Sequence, residues 1–369
     1  MASGTMAPRS VVTDASATDV QDAAPASSVG ARPAGLASVN RYRLLGLLAA
    51  IGALAMVLWL SLVVGSKDID LAALWPAITA YDASPEHVII HDLRLPRTVT
   101  GVVVGIALGL SGALIQALTR NPLADPGILG VNAGAGFFVV LGVALFGVTS
   151  IHEYIWFSFA GAVVATVAVY FIGSRGRGGT TPLRLTLAGV ALGAVLGGIS
   201  SGITLLRPAV FDSMRSWSAG TLSNRTWEIF TTVAPFILVG TLIALAMARP
   251  LNAVAMGEDT AKSLGANIVS TRIWTIVSVT LLCGAATAAA GPIGFVGLMV
   301  PHVARWIVGP DQRWILAYTL VLSPVLLLVS DIVGRIVLRP GEMQVGIITA
   351  FVGAPVLIWL IRRRKVSTL

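Results

Sequence analysis

Apolar segments long enough to cross a bilayer follow one another along most of the chain. An apolar helix needs about 20 residues to cross roughly 30 Å of hydrocarbon. The pattern predicts ten spans, at residues 44–64, 95–118, 128–148, 153–173, 184–206, 229–248, 270–290, 293–308, 314–337 and 344–361. We therefore expect an all-α, polytopic membrane protein in which residues 41–369 form one bundle of about ten transmembrane helices.

The first 40 residues have a different composition. They are rich in Ala, Ser, Pro, Asp and Val and show no amphipathic period. Such a segment cannot bury enough apolar surface to order itself, so residues 1–40 are predicted to form a disordered tail on the cytoplasmic side. The first apolar run follows Arg41 and Arg43 and exceeds the length of a signal-peptide core, which predicts a retained span.

Composition agrees with the span pattern. Of 369 residues, 56% are hydrophobic and only 11% are charged, against about a quarter charged in ordinary soluble domains. The net charge of +8 does not indicate a nucleic-acid partner, because the basic residues lie at the ends of apolar segments. A single cysteine, Cys283, excludes a disulfide framework and a cysteine metal site.

The distribution of Lys and Arg predicts the orientation. With ten spans and a cytoplasmic tail, most basic residues fall on the cytoplasmic side, as the positive-inside rule requires. Both termini and the 249–272 loop are then predicted to be cytoplasmic. Many basic residues nevertheless remain outside, and they call for a reason: Lys67, Arg94, Arg97, Arg207, Arg215, Arg225, Arg335 and Arg339.

A polar segment, MGEDTAKSLGANI, separates the sixth and seventh spans at residues 256–268. It is not a phosphate-binding loop, because that motif needs glycines where Ala261 and Met256 stand. It has the signals of a short helix, with acidic residues at its start and Gly265 where a left-handed cap is expected. Such a helix is either a docking surface or a simple connector.

Several long segments resemble one family of membrane proteins. They are LRLPRTVTGVVVGIALGLSGALIQALTRNPLADPGILGVNAGA at residues 93–135, ARPLNAVAMGEDTAKSLGAN, GPIGFVGLMVPHVARWIVG, SDIVGRIV and VGIITAFVGAPVLIWLIRR. Together they are similar to permeases of FecCD type, which belong to ATP-driven importers for iron-siderophores, haem and cobalamin. The resemblance covers most of residues 93–363 in the family's order and has no counterpart for the amino-terminal tail.

The resemblance implies a type II ABC importer. Two ten-span permease subunits would form a central path, two ATPase subunits would bind at the cytoplasmic face, and a binding protein would deliver substrate from outside. ATP and magnesium would be bound by the ATPase, so this chain is expected to need no cofactor and to be no enzyme. The second permease could be another copy or a paralogue.

The resemblance also assigns roles to two sets of residues. The short helix after the sixth span, near 257–266, would be the cytoplasmic element that couples to the ATPase, through Gly257, Glu258, Ala261, Leu264 and Gly265. Arginines at the outer mouth would meet carboxylates of the binding protein, namely Arg94, Arg97 and Arg335. From the residues alone, an arginine at a membrane interface can equally snorkel or serve as an anchor.

Small residues recur at a spacing of four within the spans, as at Gly101, Gly105 and Gly109. This spacing predicts close packing between helices in the membrane.

The fifth span is poor in bulky residues and mildly polar. This composition suits a water-filled path and close helix packing equally, and the family places its fifth span along the conducting path. The candidate pathway residues are Gly189, Gly193, Gly197, Ser200, Ser201 and Thr204. Thr180 and Thr181, just before the span, are candidates for a polar cytoplasmic gate.

Three other patterns bear on the chemistry of the chain. Asp331 and Arg335 stand four apart in the ninth span, a spacing at which they can neutralise each other or serve proton coupling. His87 and His91 have a spacing that can hold a metal, but no third ligand is identifiable, so no metal site is predicted. In the segment VFDSMRSW, at residues 210–217, apolar residues form one stripe of a short external helix.

The sequence therefore predicts the permease subunit of a binding-protein-dependent ABC importer in the bacterial cytoplasmic membrane, in contact with lipid. A ferric siderophore is the expected cargo, with cobalamin or haem as the alternative. An ion-coupled secondary carrier is the competing class. It would need relayed acidic residues at mid-membrane, and the chain offers one candidate.

Overall fold

The computed structural model describes residues 40–65, 67, 71–174 and 182–363. The helices are α1 Asn40–Val63, α2 Leu71–Thr79, α3 Pro85–Val88, α4 Leu95–Thr119, α5 Val131–Phe146, α6 Ile151–Ser174, α7 Pro182–Leu206, α8 Pro208–Ser218, α9 Trp227–Ala246, α10 Ala248–Ala255, α11 Glu258–Ser263, α12 Ile268–Ala290, α13 Val296–Val308, α14 Gln312–Val337 and α15 Val345–Arg363. A π-helical turn, Ile89–Arg94, joins α3 to α4, and a 3-10 turn, Pro126–Leu129, precedes α5.

The ten predicted spans correspond to ten apolar helices. In the described part of the chain, seven helices have the length and hydropathy to cross a membrane, and three shorter apolar helices, Val131–Phe146, Val296–Val308 and Val345–Val356, account for the remaining spans. The eighth span begins at Val296 instead of 293, because Phe295 adopts a left-handed backbone with φ of +69°. Of the predicted tail, residues 1–40, residues 1–39 lie outside the described residues, and Asn40 begins α1.

Helix α4 is the most enclosed span of the bundle. With the turns before it, it forms a continuous helical segment of 35 residues, Pro85–Thr119. It packs against α9, α12, α13 and α14. Its Gly105 lies so close to α14 that a Cβ there would be 2.8 Å from the Cα of Pro324. The predicted close packing through Gly101, Gly105 and Gly109 is therefore confirmed, since all three face residues of α14.

The two ends of the bundle differ in structure. We name them the Arg97 end and the Arg120 end, after residues at the two ends of α4. At the Arg97 end, the last turns of α1 and α14 meet the first turn of α4 through hydrogen bonds among Ser61, Thr98 and Arg335. At the Arg120 end, α10 contacts the start of α14, where Asn252 Nδ2 donates to Asp311 Oδ1 at 2.8 Å. Helix α11 follows α10 and therefore belongs to the Arg120 end.

Three glycines fix the loop after α8 at the Arg97 end. The backbone N–H of Thr221 donates to Ala290 O at 2.8 Å, and that of Gly346 donates to Gly220 O at 3.0 Å. A Cβ on Gly291 would overlap the carbonyl of Trp217, and one on Gly346 would overlap that of Ala219. Because only glycine permits these approaches, the loop at 219–226 is held against the ends of α12 and α15.

Candidate functional site

A buried carboxylate lies between two arginines at the Arg97 end. Asp331, which is 1% exposed, accepts hydrogen bonds from Arg97 Nη2 at 2.7 Å and from Arg97 Nε at 3.0 Å. On its other side it accepts from Arg335 Nε at 2.9 Å and from Arg335 Nη2. Arg97 Nη1 also donates to Glu342 Oε2 at 2.8 Å. The charges therefore form one continuous network, which is buried at Asp331 and partly exposed at Glu342.

Three helices supply this network because of where the residues fall in the sequence. Asp331 and Arg335 are four apart on α14, so both side chains lie on the same face. Arg97 stands in the first turn of α4. Helix α1 contributes the Ser61 carbonyl, which accepts from Arg335 Nη1 at 2.7 Å. The network thus joins α1, α4 and α14, and the self-neutralising Asp331–Arg335 pair is confirmed in geometry.

Arg94 is also turned into the protein. It ends the π-helical turn, and its Nη1 donates to the carbonyls of Leu62 at 2.8 Å and Val63 at 2.5 Å. Its Nη2 bonds the carbonyl of Lys67. The carbonyls of Leu62 and Val63 belong to the last turn of α1, where a positive charge is favoured by the helix dipole. Arg94 therefore caps α1.

A cavity of about 640 Å³ opens beside this network. Five of its lining residues are basic and one is acidic, so positive charge predominates. The lining consists of Gly65, Lys67, Ile89, Leu93, Arg94, Arg97, Thr221, Ser223, Asn224, Arg225, Arg335, Glu342 and Gln344. Ser223 Oγ donates to Glu342 Oε2 at 2.7 Å, which ties the 219–226 loop to the charged network. The cavity can bind an anionic group.

Arg225 is the basic residue of the cavity that lies in the 219–226 loop. It is half-buried, and its Nε donates to Thr221 O at 3.3 Å. Burial, together with the neighbouring charge of Arg97, lowers the pKa of Arg225 to about 10. Because this value is still well above 7, the Arg225 guanidinium remains charged at neutral pH.

The three arginines expected at a docking surface are buried. Arg94, Arg97 and Arg335 are 6%, 9% and 1% exposed. The structure brings all three together around one cavity. None of their guanidinium groups is presented on an exposed surface or extends to water at the membrane interface. Their direct contact with a binding protein remains a prediction.

Sequence reasoning missed two members of the site. Glu342 lies in the segment 338–344, whose approach to Arg97 depends on the chain reversal after α14. Arg225 is one of the outer basic residues, and the sequence pattern assigns it no role. The excess of positive charge on one side was the available signal, because buried arginines need carboxylates and close carbonyls.

The predicted coupling segment has the expected local structure. Gly257 and Gly265 have φ of +112° and +79°, values that glycine adopts readily, and they flank α11. Ala266 N donates to Ala261 O at 2.9 Å, which closes the turn around Gly265. Ala261 is buried, whereas Leu264 is 62% exposed. Glu258 begins the helix. The segment's contact with an ATPase is untested and stays a prediction.

The candidate pathway residues lie on α7. Gly189 is buried, whereas a Cβ on Gly197 would meet no described atom within 4 Å, and one on Gly193 would touch only Ala133 at 3.6 Å. Close packing within the described chain therefore does not explain Gly197. Thr204 Oγ1 bonds the carbonyl of Ser200 on the same helix, and Ser201 is exposed. A conducting role for this face remains a prediction.

Thr180 and Thr181, the candidate gate residues, lie outside the described residues.

The apolar stripe of α8 is buried against α5. Val210, Met214 and Trp217 form one cluster with Val139 and Val140. The Trp217 Nε1 donates to Ala288 O at 3.4 Å. The stripe therefore attaches α8 to the bundle at the Arg97 end.

The histidines at the Arg97 end pair with neighbouring carboxylates. His87 Nδ1 lies 2.7 Å from Asp82 Oδ1, and His91 Nδ1 lies 2.8 Å from Asp92 Oδ1. Within the described ranges, no group of three or more His, Cys, Asp or Glu side chains could hold a metal ion.

Comparison with known proteins adds to the fold and the site. The model of the FecCD transport family matches residues 53–363. The chain is 51% identical to the ferric enterobactin transport system permease protein FepD of Escherichia coli (strain K12), over 83% of this chain and 91% of that protein. It is 39% identical to the Fe(3+)-citrate import system permease protein YfmD of Bacillus subtilis (strain 168), over 84% and 91% respectively.

A solved structure of an ABC transporter has a similar fold. A chain described as an inward-facing metal-chelate type ABC transporter is 26% identical and superposes with a TM-score of 0.76, covering 87% of this chain and 100% of that one. Because the family model and the relatives span most of the sequence, the chain belongs to the FecCD transport family, as a multi-pass membrane permease subunit of an ABC importer whose ATP is hydrolysed by a partner subunit.

Proposed function

We propose that the chain conducts a ferric siderophore across the bacterial cytoplasmic membrane. The observation that carries this proposal is the 51% identity to a permease named for ferric enterobactin. A second relative is named for ferric citrate import. Import of haem or cobalamin by the same mechanism is the alternative within the family.

The two ends of the bundle would serve different partners. We place the Arg97 end outside, where a substrate-binding protein docks, and the Arg120 end with both termini in the cytoplasm. A second permease, identical or paralogous, would complete the path. Two ATPase subunits would bind at the cytoplasmic face, one on the α11 helix of each permease. The positive-inside distribution supports this orientation, as does the location of α11 at the end opposite the arginine cavity.

Movement of α11 would open and close the path. ATP-driven closure of the two ATPases would displace α11 and the attached spans, so that the path faces each side of the membrane in turn. This chain transmits the movement and conducts the cargo, which requires binding surfaces at both ends but no catalytic residue.

Reconstituted transport tests the proposal. The permease, its ATPase and its binding protein in proteoliposomes should accumulate a ferric siderophore when ATP is supplied on the ATPase side. Uptake should stop when the ATPase is inactivated and should persist when ionophores collapse all ion gradients. Accumulation driven by an ion gradient without ATP would contradict the proposal, and uptake of haem or cobalamin instead of a ferric chelate would favour the alternative cargo.

Exposed Leu264 provides a test of the coupling segment. We expect Leu264→Asp to reduce recovery of the ATPase with the permease about tenfold, because a desolvated charge replaces an apolar contact worth about 1–2 kcal/mol. The measurement is the amount of ATPase that copurifies with the permease. Leu338→Asp, which makes the same change in an exposed loop at the Arg97 end, should leave it unchanged; an equal loss in both variants would contradict the assignment.

A further inference from the structure

Helix α10 lies between the sixth span and α11 and rests on the bundle. Three of its residues, Ala248, Leu251 and Val254, are buried and stand three apart, so they share one face of the helix. Helix α10 packs against α4 and α14, and α11 packs against α10 and α12. A displacement of α11 can therefore enter the bundle by two routes, through α10 or through α12.

Asn252 joins α10 to the start of α14 with both ends of its side-chain amide. Its Nδ2 donates to Asp311 Oδ1 at 2.8 Å, and its Oδ1 accepts from the backbone N–H of Gln312 at 2.8 Å. Because a carboxylate only accepts and a backbone N–H only donates, these partners fix the orientation of the amide. Two hydrogen bonds to adjacent residues resist sliding of α10 along α14.

The first turn of α14 is itself held in place around this contact. Asp311 Oδ1 also accepts from the backbone N–H of Arg313 at 3.0 Å, so that Asp311 is the N-cap of α14. Gln312 and Ile315 are buried. Asn252 is therefore bonded to a capped and packed helix end, and a force on α10 acts on the whole helix.

Helix α14 extends from this contact to the charged network at the Arg97 end. Its 26 residues give a length of roughly 39 Å, and Asp331 and Arg335 lie in its last two turns. At its middle, Pro324 packs against Gly105 of α4, where a Cβ would lie 2.8 Å from Pro324 Cα. Helix α4 thus supports α14 at the position where a proline permits a bend, so movement of the first turn is transferred towards Asp331.

We infer that Asn252 is the residue through which movement of α11 reaches α14, and hence the charged network at the other end of the bundle. The inference rests on the proposed function. Energetic coupling between distant sites is carried by packed side chains, hydrogen bonds and rigid helices. Asn252 supplies the hydrogen bonds, and α14 supplies the rigid helix. Asn252 is a positioning residue, because its role is to keep α10 fixed against α14 during the movement and not to bind cargo or ATP.

The test uses the complete transporter in proteoliposomes and measures the ferric siderophore taken up per ATP hydrolysed. We expect Asn252→Asp to lower this ratio about tenfold, because the new carboxylate faces that of Asp311 and repels it. Adding Asp311→Asn should recover most of the ratio, since position 311 can then donate a hydrogen bond to position 252. The amount of ATPase that copurifies with the permease should stay within about twofold of the parent in both variants, because α11 is unchanged.

The matched control is Asn267→Asp, which adds the same charge on the α12 route. Asn267 is exposed, and its Oδ1 accepts from the backbone N–H of Ser270 at 2.9 Å as the N-cap of α12. Aspartate makes the same cap, so uptake per ATP should stay within about twofold of the parent. A loss equal to that of Asn252→Asp would refute the inference, because the charge of the segment and not the bond to α14 would then be the cause.

A cross-link tests the same contact without hydrogen bonds. In the double variant Asn252→Cys with Asp311→Cys, uptake per ATP should be low while the thiols are free. It should recover when a short bifunctional maleimide joins them, because α10 and α14 then move together again. Cys283 is completely buried and does not compete for the reagent. A normal ratio with free thiols, or a low ratio after cross-linking, would contradict the inference.

Thermal unfolding separates transmission of movement from folding. Asn252→Asp should unfold within a few degrees of the parent. A lower unfolding temperature, with hydrolysis and uptake reduced in the same proportion, would show a purely structural role and overturn the inference. So would an unchanged ratio in Asn252→Asp, or no recovery when Asp311→Asn is added. If the parent transporter accumulates no ferric siderophore with ATP, the proposed function fails instead.

Discussion

Replacing Asp331 with asparagine is expected to destabilise the protein by about 3–5 kcal/mol, which is a large part of the stability of most folded proteins. Asp331 is 1% exposed and lies between Arg97 and Arg335. Asparagine preserves the volume but leaves Arg335 without a counter-ion inside the bundle, where a lone charge is costly. Thermal unfolding in detergent and the yield of monodisperse protein measure the effect.

Two further variants show whether charge is the cause. Asp212→Asn removes an exposed carboxylate on α8 and should change the unfolding temperature little. Adding Arg335→Gln to Asp331→Asn should recover part of the lost stability, because Arg97 then keeps Glu342 as its partner. If the double variant is less stable than Asp331→Asn alone, the charge explanation is wrong.

Gly112→Ala is expected to be strongly destabilising, although the same change usually stabilises the interior of a helix by about 1 kcal/mol. A Cβ on Gly112 would overlap the carbonyl oxygen of Gly297 on α13, and neither backbone can yield without separation of the two helices. We expect a loss of about 1–3 kcal/mol or more. Both the unfolding temperature and ATP-driven uptake should fall.

The matched control for this prediction is Gly52→Ala on α1, where a Cβ would meet no described atom within 4 Å. It should leave stability unchanged or raise it slightly, because alanine is the better helix former. If Gly112→Ala lowers the stability of the protein and Gly52→Ala does not, the contact between α4 and α13 is the cause. A Gly112→Ala protein as stable as the parent would mean that these helices can separate without loss.

Long apolar runs made the spans predictable, because in hydrocarbon a chain must satisfy its backbone within each segment. The small-residue spacing of Gly101, Gly105 and Gly109 likewise predicted a helix contact, which α14 provides. The same spacing at Gly189, Gly193 and Gly197 gave no such contact for Gly197. The spacing of small residues alone does not show which face of a helix packs against another helix of the same chain.

The candidate site was only partly predictable for a related reason. Arg97 and Asp331 are 234 residues apart and meet across two helices, so no local pattern connects them. The i,i+4 spacing identified the pair of Asp331 with Arg335 because that pair lies on one helix. Burial reversed the expected exposure of Arg94, since its carbonyl acceptors belong to the end of α1. Pairing between distant segments is a property of the packed bundle.

The length of α4 has a mechanical consequence. Its 25 residues, Leu95–Thr119, make a rod of roughly 38 Å at about 1.5 Å per residue. The four helices α9, α13, α14 and α15 each contain an internal proline, a site at which a helix can bend. Helix α4 has its proline in its first turn, at Pro96. If α4 tilts by about 10° around its middle, its two ends shift by about 3 Å in opposite directions, so that the arginine cavity and the far side of the bundle cannot move independently.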